Sequence, residues 1–311
     1  MRPIHPNRKI LELNRFEKFF SKIGRQRFHL ENLPFIDSIV GFGLKVTFLY
    51  SSCRKNAEYV KLSRVEFGFD NLPESFDGLK MLLITDLHID AIDSLTNRII
   101  QIADSETYDF CILGGDYSFR VRGDTRLAER HLRRLAQYLT GKSQVLGILG
   151  NHDGYSIGEF LADLGVEMLT NEYVCHRRGD QCIYLVGLDD CHYYGAADID
   201  LAASDVPGDA FKIMLCHSPE FYKEAERAGF SLYLTGHTHG GQLCLPGGIA
   251  VVCCASVPRK LIKGKWIHGL IEGYTSCGVG SSGVPARLFC PPEVALITLR
   301  KMWDGQLDCP C

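Results

Sequence analysis

Five short stretches of this sequence carry side chains suited to holding metal ions. Asp86 and His88 follow the apolar run Leu79–Thr85, Asp116 follows Phe110–Leu113, and Asn151 with His152 follows Val145–Leu149. His217 follows Ile213–Cys216, and His237 and His239 sit in Gly236-His237-Thr238-His239-Gly240-Gly241-Gln242. Each apolar run is short enough for a buried strand, with its polar cluster just past the C-terminal end. Ligand sites in open α/β sheets form at that edge. On extended chain, residues i and i+2 point the same way, so each of the pairs Asp86/His88 and His237/His239 is expected to reach into one site. Oxygen and imidazole donors without thiolate suit Mn, Zn or Fe better than a cysteine-based structural zinc. The donors Asp86, His88, Asp116, Asn151, His217, His237 and His239 are too many for one tetrahedral ion. Two divalent metal ions sharing Asp116 as a bridge would use them all, and ions about 3.5–4 Å apart clamp an in-line attack at phosphorus.

In this order and spacing, D-x-H, G-D, G-N-H-D, H and G-H-x-H resemble the calcineurin-like metallophosphoesterase superfamily. Further tokens are Leu72-Pro73 up to Gly78, Gly236–Gln242 with Pro246, and Gly278-Val279-Gly280 through Arg287 to Pro292-Glu293. These look like one branch, the small bacterial membrane-associated phosphodiesterases that include UDP-2,3-diacylglucosamine pyrophosphatase-like members. The likeness spans residues 60 to 300 or so. It implies an α/β fold, a four-layer α/β/β/α sandwich of two mixed β-sheets flanked by helices. It also implies Asp86, His88 and His239 on one metal, Asn151, His217 and His237 on the other, and Asp116 between them. His152 would be the non-ligand imidazole that protonates the leaving oxygen or stabilises developing charge, with Asp153 orienting it.

The reaction implied is hydrolysis of a phosphodiester or pyrophosphate by a hydroxide shared between the metals. The substrate would be a phosphate-containing small molecule or a lipid-linked one such as UDP-2,3-diacylglucosamine. A soluble phosphodiesterase or phosphomonoesterase is the alternative within the enzyme class. A scaffold that keeps the fold without the chemistry is the alternative outside it; such chains usually lose ligands or the acid histidine, and none is missing here. Arg120 and Arg122, shortly after Asp116, are candidates for gripping a substrate phosphate. Gly240-Gly241 is expected to let the backbone approach a metal-bound anion.

The elements that must position these groups are legible around them. Strands are expected at Leu79–Thr85, Phe110–Leu113, Val145–Leu149, Cys182–Val186, Ile213–Cys216 and Leu232–Leu234. Helical spacing appears around Leu95, Ile99, Ile100 and Ala103, and again over 125–139 with Leu132, Leu135 and Leu139 inward. Ser156-x-x-Glu159 has the form of a capping box for a short helix ended by Gly165, and Ser218-Pro219 and Gly229 bracket another. The final third is richer in glycine and short strands. Helix–strand alternation followed by strands implies packed sheets covered by helices.

Composition bounds the rest. The chain has 311 residues, 46% hydrophobic and 23% charged, with a net charge of -3. That suits one large domain with a substantial core. It argues against a nucleic-acid binder, since no basic stripe lies outside residues 1–30. There, eight Lys/Arg and two Glu give +6. Residues 8–24 read as an amphipathic helix, with Leu13, Phe16, Phe19, Phe20 and Ile23 on one face. The apolar run 35–50 is interrupted by Asp37 and Lys45 and falls short of the ~20 residues a spanning helix needs. The expected organisation is a basic N-terminal segment over 1–58, a catalytic domain over 59–302 and a tail over 303–311. Residues 8–50 would either meet a membrane peripherally or pack on the domain. Thirteen cysteines without a C-x-x-C pair point to a reducing compartment, so the expected location is cytoplasmic, on the inner face of the membrane.

Overall fold

The computed structural model describes residues 6–14, 35–119 and 124–302. Two six-stranded mixed sheets pack face to face, with helices on their outer faces, as the sequence implies. The helices are α1 (Pro6–Asn14), α2 (Ile36–Val46), α3 (Tyr50–Glu58), α4 (Leu95–Ser105), α5 (Arg126–Lys142), α6 (Tyr155–Asp163), α7 (Ile199–Ala202) and α8 (Tyr222–Arg227). The first sheet uses β1 (Lys61–Phe69), β2 (Lys80–Ile84), β3 (Phe110–Leu113), β4 (Gln144–Gly147) and β5 (Glu167–Met168), and it also takes the last strand, β14 (Glu293–Lys301). The second uses β6 (Glu172–Arg178), β7 (Gln181–Gly187), β8 (Lys212–Leu215), β9 (Leu232–Thr235), β12 (Gly264–His268) and β13 (Ile271–Thr275). A two-stranded ribbon, β10 (Cys244–Leu245) and β11 (Ile249–Ala250), stands apart.

Strand order is β1-β14-β2-β3-β4-β5 in one sheet and β12-β13-β9-β8-β7-β6 in the other. The central strands β2, β3 and β4 run parallel to one another, as do β7, β8 and β9. Strands buried on both faces need apolar residues at every position, which is why these runs lack alternation. Met81, Leu83, Phe110 and Ile112 point between the sheets and meet Ile183, Ile213, Leu215 and Leu234. Their neighbours Leu82, Ile84, Cys111 and Leu113 point outward, under α4, α5 and α6. The inward faces predicted for α5 are the ones buried, Leu132, Leu135 and Leu139. Truncating one of these leucines to Ala costs about 2–5 kcal/mol through lost transfer energy and the cavity left behind.

One local expectation is corrected. Ser156 is not the N-cap of α6: that position falls two residues earlier, at Gly154, and no side chain of its own turn caps the helix. The N–H of Tyr155 instead donates to Glu12 Oε1 at 2.5 Å, so α1 supplies the cap from 143 residues away. The N-terminal helix is described only over α1, and the expected face Leu13, Phe16, Phe19, Phe20 and Ile23 lies outside the residues whose side chains are described. The second apolar run forms α2, whose inner residues pack on Val284, Leu243 and Leu288. Among the described residues, no helix is long and apolar enough to cross a membrane.

Candidate metal centre

Every expected donor lies just past the C-terminal end of a parallel strand. Asp86 and His88 follow β2, Asp116 follows β3, Asn151 and His152 follow β4, His217 follows β8, and His237 and His239 follow β9. The two sheets therefore contribute to one crest. Asp86, His88 and His239 offer ligand atoms within 4.8 Å of one another, as do Asp116, His217 and His237. A third grouping, His88, Asp116 and His152, meets the same limit. Asp116 Oδ2 stands 3.6 Å from His88 Nε2 and 3.2 Å from His217 Nε2, between the two halves where a bridge belongs. Asp86 Oδ1 is 3.6 Å from His239 Nε2, and the Nε2 atoms of His88 and His239 face each other at 3.2 Å.

Backbone strain is concentrated here. Asp86, His88, Asp116, His237 and His239 have φ values of 51°, 36°, 55°, 68° and 50°. Side chains with a Cβ rarely adopt this left-handed region, and such outliers gather at functional sites. The i, i+2 reasoning thus reached the right residues on the wrong backbone, because neither pair lies on extended chain. His237 and His239 fall in different groups of the same crest. Gly150 is needed for close approach, since a Cβ there would collide with the Asp116 carboxylate.

Hydrogen bonds to backbone carbonyls orient two of the imidazoles toward the crest. His88 Nδ1 lies 2.9 Å from the Ser118 carbonyl and His217 Nδ1 lies 2.7 Å from that of Gly114. A carbonyl only accepts, so each Nδ1 donates and each Nε2 faces the crest. Burial works against charge on His217, but the Asp116 carboxylate outweighs it and raises that imidazole well above its ordinary range, so its Nε2 gives up a proton before it can bind a cation. Burial, aided by the nearby His152, holds the His88 pKa down to about 3, keeping the ring neutral. Burial also pushes Asp86 up to about 6, with the charge of Asp116 adding to it and His217 opposing. A desolvated carboxylate pair of this kind is stabilised by a cation. Asn151 Oδ1 is buried without a hydrogen-bond partner, the condition of a ligand oxygen awaiting a metal. The donor set and this orphaned atom fit divalent ions.

His152 lies beside this cluster, its ring 4.8 Å from that of His88 and its Nδ1 3.1 Å from the Phe119 carbonyl. Asp153 does not orient it. The Asp153 carboxylate accepts from the N–H groups of Asp116, Tyr117 and Gly150 at 2.7, 2.8 and 2.8 Å. Its effect is to lock the turn carrying Asp116 against the turn carrying Asn151. Backbone donors had no sequence signature, so the neighbouring imidazole looked like the natural partner. Gly240 and Gly241 also serve packing: a Cβ on Gly240 would meet the thiols of Cys277 and Cys290, and one on Gly241 would strike Ala250. Arg120 and Arg122 lie outside the described residues.

The roles of two arginines were missed. Arg287 is fully buried and donates to the carbonyls of His239 at 3.0 Å and Cys277 at 2.8 Å, with His239 Nδ1 at 3.1 Å. A lone Arg between Ala286 and Leu288 in an otherwise apolar stretch was the available signal. Arg8, also fully buried, had none: apart from Glu12 one turn on, its hydrogen-bond partners lie 142 to 181 positions away. The carboxylates of Asp189 and Asp190 both have partners, Asp189 pairing with Arg8. Asp190 accepts from the N–H groups of His192 and Tyr193 at 3.2 and 2.7 Å. His192 is buried with Nδ1 3.1 Å from Glu220 and its ring 4.2 Å from that of His237.

Comparison with known proteins gives the same direction. The calcineurin-like phosphoesterase model matches residues 79–241. A transmembrane protein with metallophosphoesterase domain from Danio rerio is 26% identical over 93% of this chain and 68% of its own length. The uncharacterized metallophosphoesterase YkoQ of Bacillus subtilis is 28% identical, covering 80% of this chain and 93% of that protein. Phosphodiesterase YaeI of Escherichia coli is 28% identical over 71% of this chain and 82% of its own.

Proposed function

We propose that this chain, which belongs to the calcineurin-like phosphoesterase family, hydrolyses a phosphodiester or diphosphate bond, with a lipid-linked substrate reached from a membrane surface. The observation that carries the hydrolytic reading is the convergence of two carboxylates and four imidazoles, contributed by both sheets, on one buried crest. Asp86, His88 and His239 would hold one divalent ion, Asn151, His217 and His237 the other, and Asp116 both. Ions so held supply charge neutralisation for phosphoryl oxygens and an acidified water at neutral pH.

The chain's own residues do the rest. With Nδ1–H given to the Phe119 carbonyl, His152 has Nε2 left to carry a proton to the leaving oxygen. Asp153 keeps the turns that bear Asp116 and Asn151 in register through three backbone N–H groups. Preorganised donors of this kind need no rearrangement as charge develops.

Support for the membrane surface comes from α2 and the turn after it. Phe42 is 68% exposed and Phe48 91%, with Phe35, Ile39 and Val46 also exposed, an apolar stripe of the kind that seats in a lipid interface. The ribbon adds exposed Leu245 and Ile249, and Val251 and Val252 follow it. A diphosphate such as that of UDP-2,3-diacylglucosamine has the anionic and acylated parts this reading needs. The second reading is a soluble phosphodiester, favoured by the phosphodiesterase name of the Escherichia coli relative. Hydrolysis of UDP-2,3-diacylglucosamine in mixed micelles, beside bis(p-nitrophenyl) phosphate in buffer, with Mn²⁺ added, separates them. Turnover of the lipid well above the soluble diester supports the first; turnover of the diester alone supports the second. Inactivity of metal-loaded protein on both, shared by His152→Ala, favours a scaffold.

A further inference from the structure

Arg8 joins the N-terminal helix to the metal centre. Its guanidinium donates through Nη2 to the carbonyls of Gly150 at 2.9 Å and Asp153 at 2.6 Å. Nη1 pairs with the Asp189 carboxylate, and the guanidinium carbon stacks 3.6 Å from the centre of the Tyr194 ring. Glu12, one turn on along the same helix, lies 3.3 Å from Arg8 Nε and accepts from Tyr155 N–H. The two bonded carbonyls bracket Asn151 and His152. The ion pair holds the loop after β7, in which His192 packs on His237.

We propose that Arg8 is a positioning residue for the half of the centre formed by Asn151, His152, His217 and His237. A planar fork reaches two carbonyls and a carboxylate at once, which a single ammonium cannot do. With the fork in place, the Gly150–Asp153 turn is held from behind and its side chains face the crest in one arrangement. The residue touches neither substrate nor metal, so it acts only through these two loops. The inference rests on the metal-dependent reading of the site.

The test uses full-length protein, stripped of metal and titrated with Mn²⁺. Arg8→Lys keeps a cation beside Asp189, so burial of an unpaired carboxylate is avoided. It should weaken one of two Mn²⁺ binding events about 10–100-fold, the usual scale for outer-shell partners, while the other is unchanged. With bis(p-nitrophenyl) phosphate, kcat at saturating Mn²⁺ should fall about tenfold or more with KM nearly constant, as when geometry rather than binding is lost. Arg8→Met with Asp189→Asn removes both charges together and serves if the lysine variant does not fold. Wild-type affinity for both ions and wild-type kcat in either folded variant would overturn the proposal, and failure of both to fold would overturn it in favour of a purely structural role. If the wild type itself bound no Mn²⁺ and hydrolysed nothing, the metal-dependent reading would fall instead.

Discussion

Two fully buried arginines stand behind the two halves of this centre, and they are held differently. Arg287 comes from the segment just before the last strand, β14, and binds mainly backbone carbonyls, of His239, Cys277 and Gly280. Arg8 comes from the far N-terminus and combines two carbonyls with a buried carboxylate. The Arg287 half rests on local chain, since His239 is 48 positions away and the other contacts 7 to 10. The Arg8 half depends on a nine-residue helix finding loops more than 140 residues on. Losing Arg287 strands carbonyls. Losing Arg8 also strands a charge, and breaking a buried pair costs about 3–5 kcal/mol.

The largest effect should come from the residue the two halves share. Asp116→Ala should lose both ions together, reducing Mn²⁺ stoichiometry from two towards zero and hydrolysis to background. Retention of one tight ion would mean that the halves are independent. His152→Ala should keep both ions yet slow hydrolysis by about 10²–10⁴, the scale of a lost general acid. Arg287→Met should weaken only the Asp86, His88 and His239 half, by about 10–100-fold in Mn²⁺ affinity. Seen beside Arg8→Lys, that variant sharpens the comparison: each should leave intact the ion that the other loosens.

Smaller effects follow from pH and metal removal. Asp86, pushed up to about 6, must release its proton to accept a cation. His217, which the Asp116 carboxylate holds protonated against the cost of burial, must release one too, so Mn²⁺ affinity should fall steadily as the pH drops through and below neutrality, by about tenfold per unit for each linked proton. A titration flat down to pH 4 would contradict this. Chelation should lower the melting temperature: at 100-fold excess over Kd, one bound ion adds about 2.7 kcal/mol, or roughly 5–10 °C for a domain of this size.

Much of the fold was readable because buried parallel strands appear as apolar runs, and each run here ends in groups that do not belong in a core. The helices α4 and α5 showed their inward faces by spacing alone. The site was legible wherever a side chain carried the chemistry: all seven candidate ligands sit at the predicted strand ends. What escaped was whatever depended on the backbone. Asp153 grips three N–H groups, Arg8 two carbonyls, and α6 takes its cap from Glu12. Main-chain donors and acceptors are the same at every residue, so no sequence pattern announces which ones will be used. Positive φ at Asp86, His88 and Asp116 is hidden for the same reason, because the surrounding fold imposes it on residues that do not favour it.

Electron paramagnetic resonance of the Mn²⁺-loaded, full-length protein is the most direct test of a shared two-ion centre. Two ions per chain, giving the exchange-coupled signal of Mn²⁺ pairs joined through a common carboxylate, are predicted. A single ion, or two with independent six-line spectra, would contradict a centre bridged by Asp116.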